Sequence, residues 1–207
     1  MAAPKLEFWY EFASTYSYPA ALLIEERAAQ AGVEVVWRPF LLGPIFGEQG
    51  WTDSPFNIYP AKGRYMWRDL ERICEAGAIP FVRPSAFPRN GLLAARVATA
   101  ALDEGWTPTF SKLVYQANFA RDEDISDREV LAPLILAAGG DPQAAFEMAA
   151  SEAVKARLRG HVDLARQRGI FGAPSFVAED GELFWGCDRI NEALDWAIKH
   201  TTTRELA

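Results

Sequence analysis

Residues 6–19, LEFWYEFASTYSYP, constrain the fold more strongly than any other stretch of the chain. Their first half is apolar and aromatic with single acidic residues between, and this pattern predicts a buried strand. Their second half changes to small polar residues, and a helical pattern follows. Ser14 and Thr15 are typical N-cap residues, while Pro19 fits a helix only within its first turn. The stretch therefore predicts a strand, a tight turn and a helix that begins at the turn.

The start of this helix is a candidate anion site. Free backbone N–H groups and the positive end of the helix dipole converge there. Ser14 and Ser17 lie three residues apart at this end, and the Ser14 hydroxyl could donate a hydrogen bond to a bound thiolate. The alternative is that Ser14 is an ordinary N-cap, which is the commoner role for such a serine. The residues alone leave both roles open.

The residues that follow predict a parallel unit and then a long loop. Gly32 is a helix C-terminal signal, and residues 33–38 read as a second strand that Pro39 ends. A strand, a helix and a second strand form a right-handed parallel unit. Residues 40–60 are rich in glycine, proline and aromatic residues. A loop of this length in a compact domain is usually functional.

Residues 61–150 predict helices, with few strand signals between them. Apolar residues recur at helical spacing through this range, and glycines separate the segments. Ser126 and Glu129 have the spacing of a capping box, and Asp141 is a candidate cap for the next helix. We therefore expect an all-helical insertion.

Strand signals return near the C-terminal end, after an amphipathic helical pattern over residues 154–168. Pro174 stands at the entrance of a strand, one of the few places where a strand allows proline. Asp180-Gly181 predicts a hairpin turn, and Asp188 is a candidate cap for a last helix.

This order of elements predicts an α/β fold in three parts. Residues 1–40 and 151–200 supply a βαβ half and a ββα half of one discontinuous domain. Residues 41–150 form the aromatic loop and the helical insertion between the halves. Residues 201–207 are expected to form a loose tail.

Composition excludes several classes of function. A net charge of −7 disfavours nucleic acid as a partner, because phosphate binding needs a basic face. The N-terminal residues lack the apolar region of a signal peptide, and no run is long enough to span a membrane. We therefore expect a soluble, cytoplasmic protein with no membrane partner. Cys74, Cys187 and the two histidines form neither a C-x-x-C pair nor a ligand cluster, so no metal site is predicted.

Separated motifs carry a family resemblance. They are FASTYSY at residues 12–18, YPAKGRY at 59–65, FGAPSF at 171–176 and GCDR at 186–189. Their order resembles the DsbA-like branch of thioredoxin-fold proteins, and specifically the 2-hydroxychromene-2-carboxylate isomerases and kappa-class glutathione transferases. The resemblance implies a thioredoxin-like fold with an all-helical domain inserted between its βαβ and ββα halves.

The resemblance also implies that glutathione is the cofactor. Ser14 matches the catalytic serine that holds the glutathione sulfur, and Lys62 matches a lysine near the glutathione and substrate carboxylates. Pro174 matches a cis-proline that faces the active site, and the backbone of Ala173 matches the segment that pairs with the glutathione peptide. A helix N-terminus, a lysine and an open strand backbone suit the charges of this ligand.

The same resemblance assigns Cys187 and Asp188 to the γ-glutamyl ammonium and carboxylate. Relatives often carry a polar amide or hydroxyl where this chain has Cys187, and many have proline where it has Thr15. A thiol beside a ligand pocket is accessible to thiol–disulfide exchange. Cys187 is therefore predicted to form a mixed disulfide with glutathione.

The substrate side of the site is implied to include aromatic and polar residues, namely Tyr16, Ser17, Asp53, Asn57 and Tyr65. Relatives often use an asparagine before the lysine to help bind glutathione. Thr52, Asp53 and Asn57 all occupy that region of this chain. The choice among them stays open at this point.

The function that the resemblance implies is a glutathione-dependent isomerase acting on a hydroxychromene carboxylate of aromatic catabolism. The thiolate would add reversibly to a conjugated alkene, as in covalent catalysis with a borrowed nucleophile. The alternatives are a kappa-like transferase or peroxidase and a non-catalytic glutathione-binding protein. Consumption of glutathione separates the first two activities, and absence of turnover marks the third. A homodimer is also expected from the resemblance.

Overall fold

The computed structural model describes residues 3–204. Within them lies a sheet of four strands, β1 (Lys5–Tyr10), β2 (Glu34–Pro39), β3 (Ser175–Ala178) and β4 (Leu183–Trp185). The strand order is β2-β1-β3-β4. Strand β2 runs parallel to β1, whereas β3 is antiparallel to β1 and β4 is antiparallel to β3. The predicted βαβ and ββα halves therefore meet in one sheet.

Helices surround the sheet and fill the segment between its halves. They are α1 (Ser17–Ala31), α2 (Leu42–Glu48), α3 (Pro55–Ile58), α4 (Pro60–Ala76), α5 (Leu92–Ala100), α6 (Thr107–Ala120), α7 (Arg128–Ala138), α8 (Pro142–Ala150), α9 (Glu152–Gln167) and α10 (Ile190–Arg204). Short 3₁₀ turns follow α5 and precede α10. Among the described residues, no helix is long and apolar enough to span a membrane.

Strand β1 is central, and its alternating side chains supply two apolar layers. Leu6, Phe8 and Tyr10 belong to a large cluster that also holds α1 and the inserted helices. Trp9 points to a second cluster, formed with α2 and α9. Phe8 lies opposite Phe176 of β3 with ring centroids 5.5 Å apart. Burial on both faces explains the nearly continuous apolar sequence of β1.

The inserted helices hold the C-terminal end of β1. The hydroxyl of Tyr10 lies 2.7 Å from Ser111 Oγ on α6, and Tyr115 of α6 donates to the carbonyl oxygen of Glu11 at 2.8 Å. Asn118 donates to the carbonyl oxygen of Phe12 at 3.1 Å. Because these bonds fix the backbone just beyond β1, the insertion positions the turn that leads into α1.

The segment 40–60 differs from the predicted irregular loop, because it contains helices α2 and α3. Pro55 occupies the first position of α3 after the N-cap Ser54, whose hydroxyl accepts a hydrogen bond from Phe56 N at 3.3 Å. In α2, Leu42 and Ile45 are buried in the cluster around Trp9. Tertiary packing therefore outweighs the low helix propensity of the glycines in this segment.

Several predicted helix ends are also displaced. Helix α1 begins at Ser17 rather than at Ser14, and Tyr16 occupies its N-cap position. Asp127, not Ser126, caps α7 by accepting from Glu129 N at 2.8 Å. An aspartate is at least as good an N-cap as a serine, which explains the shift by one residue.

The C-terminal region requires two further corrections. Asp188 lies within the 3₁₀ turn Cys187–Arg189 instead of capping α10, which begins at Ile190. The predicted loose tail over residues 201–207 is helical as far as Arg204. Residues 205–207 lie outside the described residues.

Helix α3 packs on α4 at a glycine that leaves no room for a side chain. Gly63 is buried, and a Cβ atom there would collide with the carbonyl oxygen of Phe56. We expect Gly63→Ala to lower the free energy of unfolding by about 1–3 kcal/mol, as overpacking does in other cores. Urea denaturation followed by circular dichroism measures this change.

Gly160→Ala is the matched control. Gly160 is exposed in α9, and a Cβ atom there would meet no other atom within 4 Å. This substitution should raise stability by about 0.5–1 kcal/mol, because alanine favours the helix interior over glycine. Unchanged stability of Gly63→Ala would show that α3 can move without cost.

Candidate active site

A cavity of 590 Å³ opens beside the turn between β1 and α1. Its walls come from that turn, from α2 and α3, from the first turn of α4, and from the segment that enters β3. The aromatic side chains that line it are Phe46, Trp51, Phe56, Phe87, Phe171 and Trp185. The volume lies within the usual range of small-ligand pockets, and the lining is mostly apolar, as such pockets require.

Ser14 connects the two halves of the fold at this cavity. Its hydroxyl donates to the carbonyl oxygen of Ala173 at 2.8 Å and accepts a hydrogen bond from Ser17 N at 3.3 Å. Ser14 N in turn donates to the carbonyl oxygen of Glu11 at 3.0 Å. One oxygen atom therefore serves the start of α1, as a capping serine would, and also lies in the cavity wall.

Thr15, the next residue of the turn, carries a buried hydroxyl that is unpaired within residues 3–204. It lines the cavity and is 1% exposed. Its Oγ1 atom is buried without a hydrogen-bond partner among the described residues. An unpaired buried hydroxyl is unfavourable by about 1–3 kcal/mol.

The segment before β3 presents its backbone to the cavity. The peptide bond between Ala173 and Pro174 is cis, as the family resemblance implied. Ala173 lines the cavity, and no residue within 3–204 accepts a hydrogen bond from its N–H group. Pro174 is buried next to it. The Ala173 amide is thus available to an extended ligand.

Gly172 allows an aromatic side chain to close over this segment. A Cβ atom on Gly172 would collide with the indole of Trp185. Trp185 also packs against Phe171, with ring centroids 5.0 Å apart, and both side chains are about half exposed. This pair forms one side of the cavity mouth.

Lys62 and Asp53 place charged groups in the cavity lining. Lys62 is exposed in the first turn of α4, and its Nζ lies 4.8 Å from the ring centroid of Tyr59. Asp53 accepts hydrogen bonds from Asn57 Nδ2 at 3.1 and 3.2 Å, and the same amide donates to the carbonyl oxygen of Phe87. Of the three residues left open by the sequence, Thr52 and Asp53 line the cavity, whereas Asn57 holds Asp53 from outside its lining.

The remaining substrate-side residues lie in different places. Tyr16 lines the cavity, but its hydroxyl donates to Asp69 Oδ2 at 3.0 Å. Burial and the Asp69 carboxylate raise the pKa of Tyr16, so its proton stays in place at neutral pH. Ser17 is fully buried and Tyr65 is exposed beside Arg72, and neither lines the cavity.

Cys187 and Asp188 lie beyond the cavity lining, two and three residues after Trp185. Burial, followed by the charge of Asp188, raises the pKa of the Cys187 thiol to about 12. Because the thiolate is the reactive form, this environment opposes the disulfide exchange predicted for Cys187. Asp188 is exposed and lies 3.6 Å from Arg189.

Two charged cavity residues were not identified from the sequence. Glu11 lines the cavity, and burial raises the pKa of its carboxyl to about 7 despite a hydrogen bond from Ala13 N at 3.2 Å. Arg89 also lines it, with a side chain only 6% exposed that donates to Asn118 Oδ1 at 3.0 Å and pairs with Asp122. Glu11 was visible as an acidic residue at the end of an apolar strand, whereas nothing in the proline-rich segment before α5 distinguished Arg89.

The described residues contain no group of three or more His, Cys, Asp or Glu side chains that could hold a metal ion. The two cysteines are free, and neither lines the cavity. A thiolate that acts in this cavity would therefore come from a bound molecule.

Comparisons with known proteins agree with this architecture. A 2-hydroxychromene-2-carboxylate isomerase from Sphingobium xenophagum is 27% identical over 187 residues, which are 90% of this chain and 94% of that protein. Glutathione S-transferase kappa 1 of Rattus norvegicus is 26% identical over 202 residues, covering 91% and 88% of the two chains. Both relatives are named as enzymes.

A solved structure of a 2-hydroxychromene-2-carboxylate isomerase superposes with a TM-score of 0.84. Its sequence is 21% identical, and the match covers 98% of this chain and 99% of the other. The family model of the DSBA-like thioredoxin domain matches residues 5–196, which include the sheet and all the walls of the cavity. The chain therefore belongs to the family of DSBA-like thioredoxin domains.

Proposed function

We propose that this protein is a glutathione-dependent isomerase that acts on a small aromatic-pathway carboxylate of the hydroxychromene type. The observation that carries the proposal is the position of Ser14, whose hydroxyl lies at the start of α1 and against Ala173 in a cavity without a cysteine. The names of the two relatives support a glutathione-linked isomerase or transferase.

The cavity residues fit the chemical groups of glutathione. The N-terminus of α1 and the Ser14 hydroxyl suit a thiolate, because both stabilise negative charge. The N–H group of Ala173, which has no acceptor among residues 3–204, suits a peptide carbonyl. Lys62 at the mouth suits a carboxylate. Because Asp188 lies outside the cavity lining, it would contact the γ-glutamyl end of glutathione only where that end extends out of the cavity.

The chemistry that bound glutathione would supply is reversible thiolate addition to a conjugated alkene, which permits rotation about the former double bond. The protein's own part is to lower the thiol pKa and to orient the acceptor. Aromatic walls at Phe46, Trp51 and Phe56 suit a flat substrate, and Lys62 suits its carboxylate. Tyr16 would contribute its ring, since its hydroxyl is bonded to Asp69.

The rival activities differ in what happens to glutathione. A kappa-like transferase or peroxidase would consume it, whereas an isomerase would return it after each turnover. A non-catalytic binding protein would bind it without turnover. We place the isomerase first because two features of the cavity, an apolar wall and a cation at its mouth, suit a flat organic acid.

Location and assembly form part of the same proposal. A cytoplasmic location would keep glutathione reduced, since thiols persist in that compartment. We also propose a homodimer, as in the sequence-based expectation. Neither nucleic acid nor membrane is proposed as a partner, in keeping with the acidic composition.

Ser14→Ala tests the proposed thiolate site. The hydroxyl would exchange a neutral bond of about 1 kcal/mol to Ala173 for a charge-assisted bond of about 1.5–3 kcal/mol to sulfur. The variant loses the difference between these two bonds, so the thiol pKa of bound glutathione should rise by about one unit. Turnover of a hydroxychromene carboxylate near neutral pH should fall by about tenfold, and glutathione affinity should fall less. Thiolate absorbance against pH and steady-state kinetics measure both effects.

Ser126→Ala is the control, because it removes an exposed hydroxyl that lies outside the cavity. It should leave the titration and the rate unchanged. If Ser14→Ala also leaves both unchanged, Ser14 is a structural residue and the proposed mechanism is wrong.

Redox activity provides a separate prediction. The protein should reduce insulin no faster than the uncatalysed background, because Ser14 and Ser17 stand where a dithiol would be needed. Oxidised glutathione should give no adduct at Cys187, whose thiol pKa of about 12 disfavours the thiolate. Intact-mass analysis reports the adduct. Rapid insulin turnover would exclude the proposed role of the α1 terminus.

A further inference from the structure

We propose that Glu11 is the base that takes the thiol proton when glutathione binds, so that the sulfur becomes a thiolate and the proton stays in the cavity. Glu11 has this role only if the cavity binds glutathione, as proposed above. The S–H bond breaks, its electron pair remains on sulfur, and an O–H bond forms on the Glu11 carboxyl. No other reactant is needed.

Glu11 and Ser14 share one turn and one cavity. The carbonyl oxygen of Glu11 accepts a hydrogen bond from Ser14 N at 3.0 Å. The carboxyl of Glu11 accepts one from Ala13 N at 3.2 Å, so it folds back along the turn that carries Ser14. Both residues line the cavity. A thiol held by Ser14 would therefore lie in the cavity that Glu11 also lines.

No cation neutralises this carboxyl within the described part of the chain. Arg89 lines the same cavity, but its guanidinium donates to Asn118, Ser85 and Asp122. Lys62 lies at the exposed mouth against the ring of Tyr59. Burial without a cation favours the protonated form of a carboxyl. The resulting pKa of about 7 lets Glu11 accept and return a proton near neutral pH.

The other titratable groups near Glu11 do not compete for this role. Tyr115 donates to the Glu11 carbonyl oxygen and, because burial raises its pKa, remains protonated. Tyr16 donates to Asp69. Asp53 is exposed at the mouth and bonded to Asn57. Glu11 is therefore the carboxyl placed to exchange a proton with a ligand inside the cavity.

Thiolate formation and Glu11 protonation should be coupled. Two anions in one low-dielectric site repel each other, and each raises the pKa of the other. Transfer of the proton from sulfur to Glu11 removes this repulsion and leaves one negative charge at the positive end of α1. The neutral carboxyl then holds a proton that it can give back when the thiol is released.

The proton balance of binding tests the proposal without relying on activity. Titration calorimetry in buffers of different ionisation enthalpy counts the protons released when reduced glutathione binds, and ultraviolet absorbance counts the thiolate formed. At pH 7.5 a carboxyl with a pKa of about 7 is roughly three-quarters ionised. The native protein should therefore release only about a quarter of a proton per thiolate formed. Near pH 6, where Glu11 is already protonated, this ratio should approach one.

Glu11→Gln keeps an oxygen for the Ala13 N–H bond but cannot take a proton. Its ratio of protons released to thiolate formed should be close to one at both pH values. Glu75→Gln is the matched control, since Glu75 is exposed on α4 outside the cavity lining, and it should show the native ratios.

A native ratio close to one at both pH values would overturn the role of Glu11, because the thiol proton would then pass to the buffer. This comparison needs no variant, so it holds even if Glu11→Gln fails to fold. Failure of the native protein to bind glutathione is a different result. It would overturn the proposed function and leave Glu11 without a thiol proton to take.

Discussion

The hydrogen bond from Ser14 Oγ to the carbonyl oxygen of Ala173 is the contact on which the site depends. It joins residues 159 positions apart in the sequence, one after β1 and the other before β3. The cavity needs both the segment after β1 and the segment before β3, because each supplies part of its wall. The paired strands bring the ends together, and the bond then sets the side chain of Ser14 relative to the backbone of Ala173. The pairing of β1 with β3 therefore also brings the two parts of the site together.

The inserted helices have a second role besides covering the sheet. Arg89 donates to Asn118, and Asn118 donates to the carbonyl oxygen of Phe12. This chain of bonds runs from a cavity wall through α6 to the turn that carries Ser14 and Glu11. A buried guanidinium is stable only when its donors are satisfied, and Asp122 supplies the opposite charge. The insertion thus braces the turn electrostatically as well as by packing.

The sequence patterns predicted the order of the elements, because helix and strand signals are local, and the family resemblance implied the cis bond at Pro174. It missed α2, whose formation depends on burial of Leu42 and Ile45 against the distant Trp9. It also missed Glu11 as a functional group, since a raised carboxyl pKa is a property of the folded environment. Residue contacts made across the fold carry this information, and a single sequence does not display them. The roles assigned to the site residues remain proposals.

Gly172 has a consequence for how the substrate range of such a protein can change. Because Gly172 has no side chain, the Trp185 indole can occupy the space beside it at the cavity mouth. Any larger residue at position 172 would displace that indole and, with it, the neighbouring ring of Phe171. The absence of a Cβ atom at position 172 thus helps to set the width of the cavity mouth. Mutation at position 172 could alter which molecules enter while leaving Ser14 and the helix terminus in place.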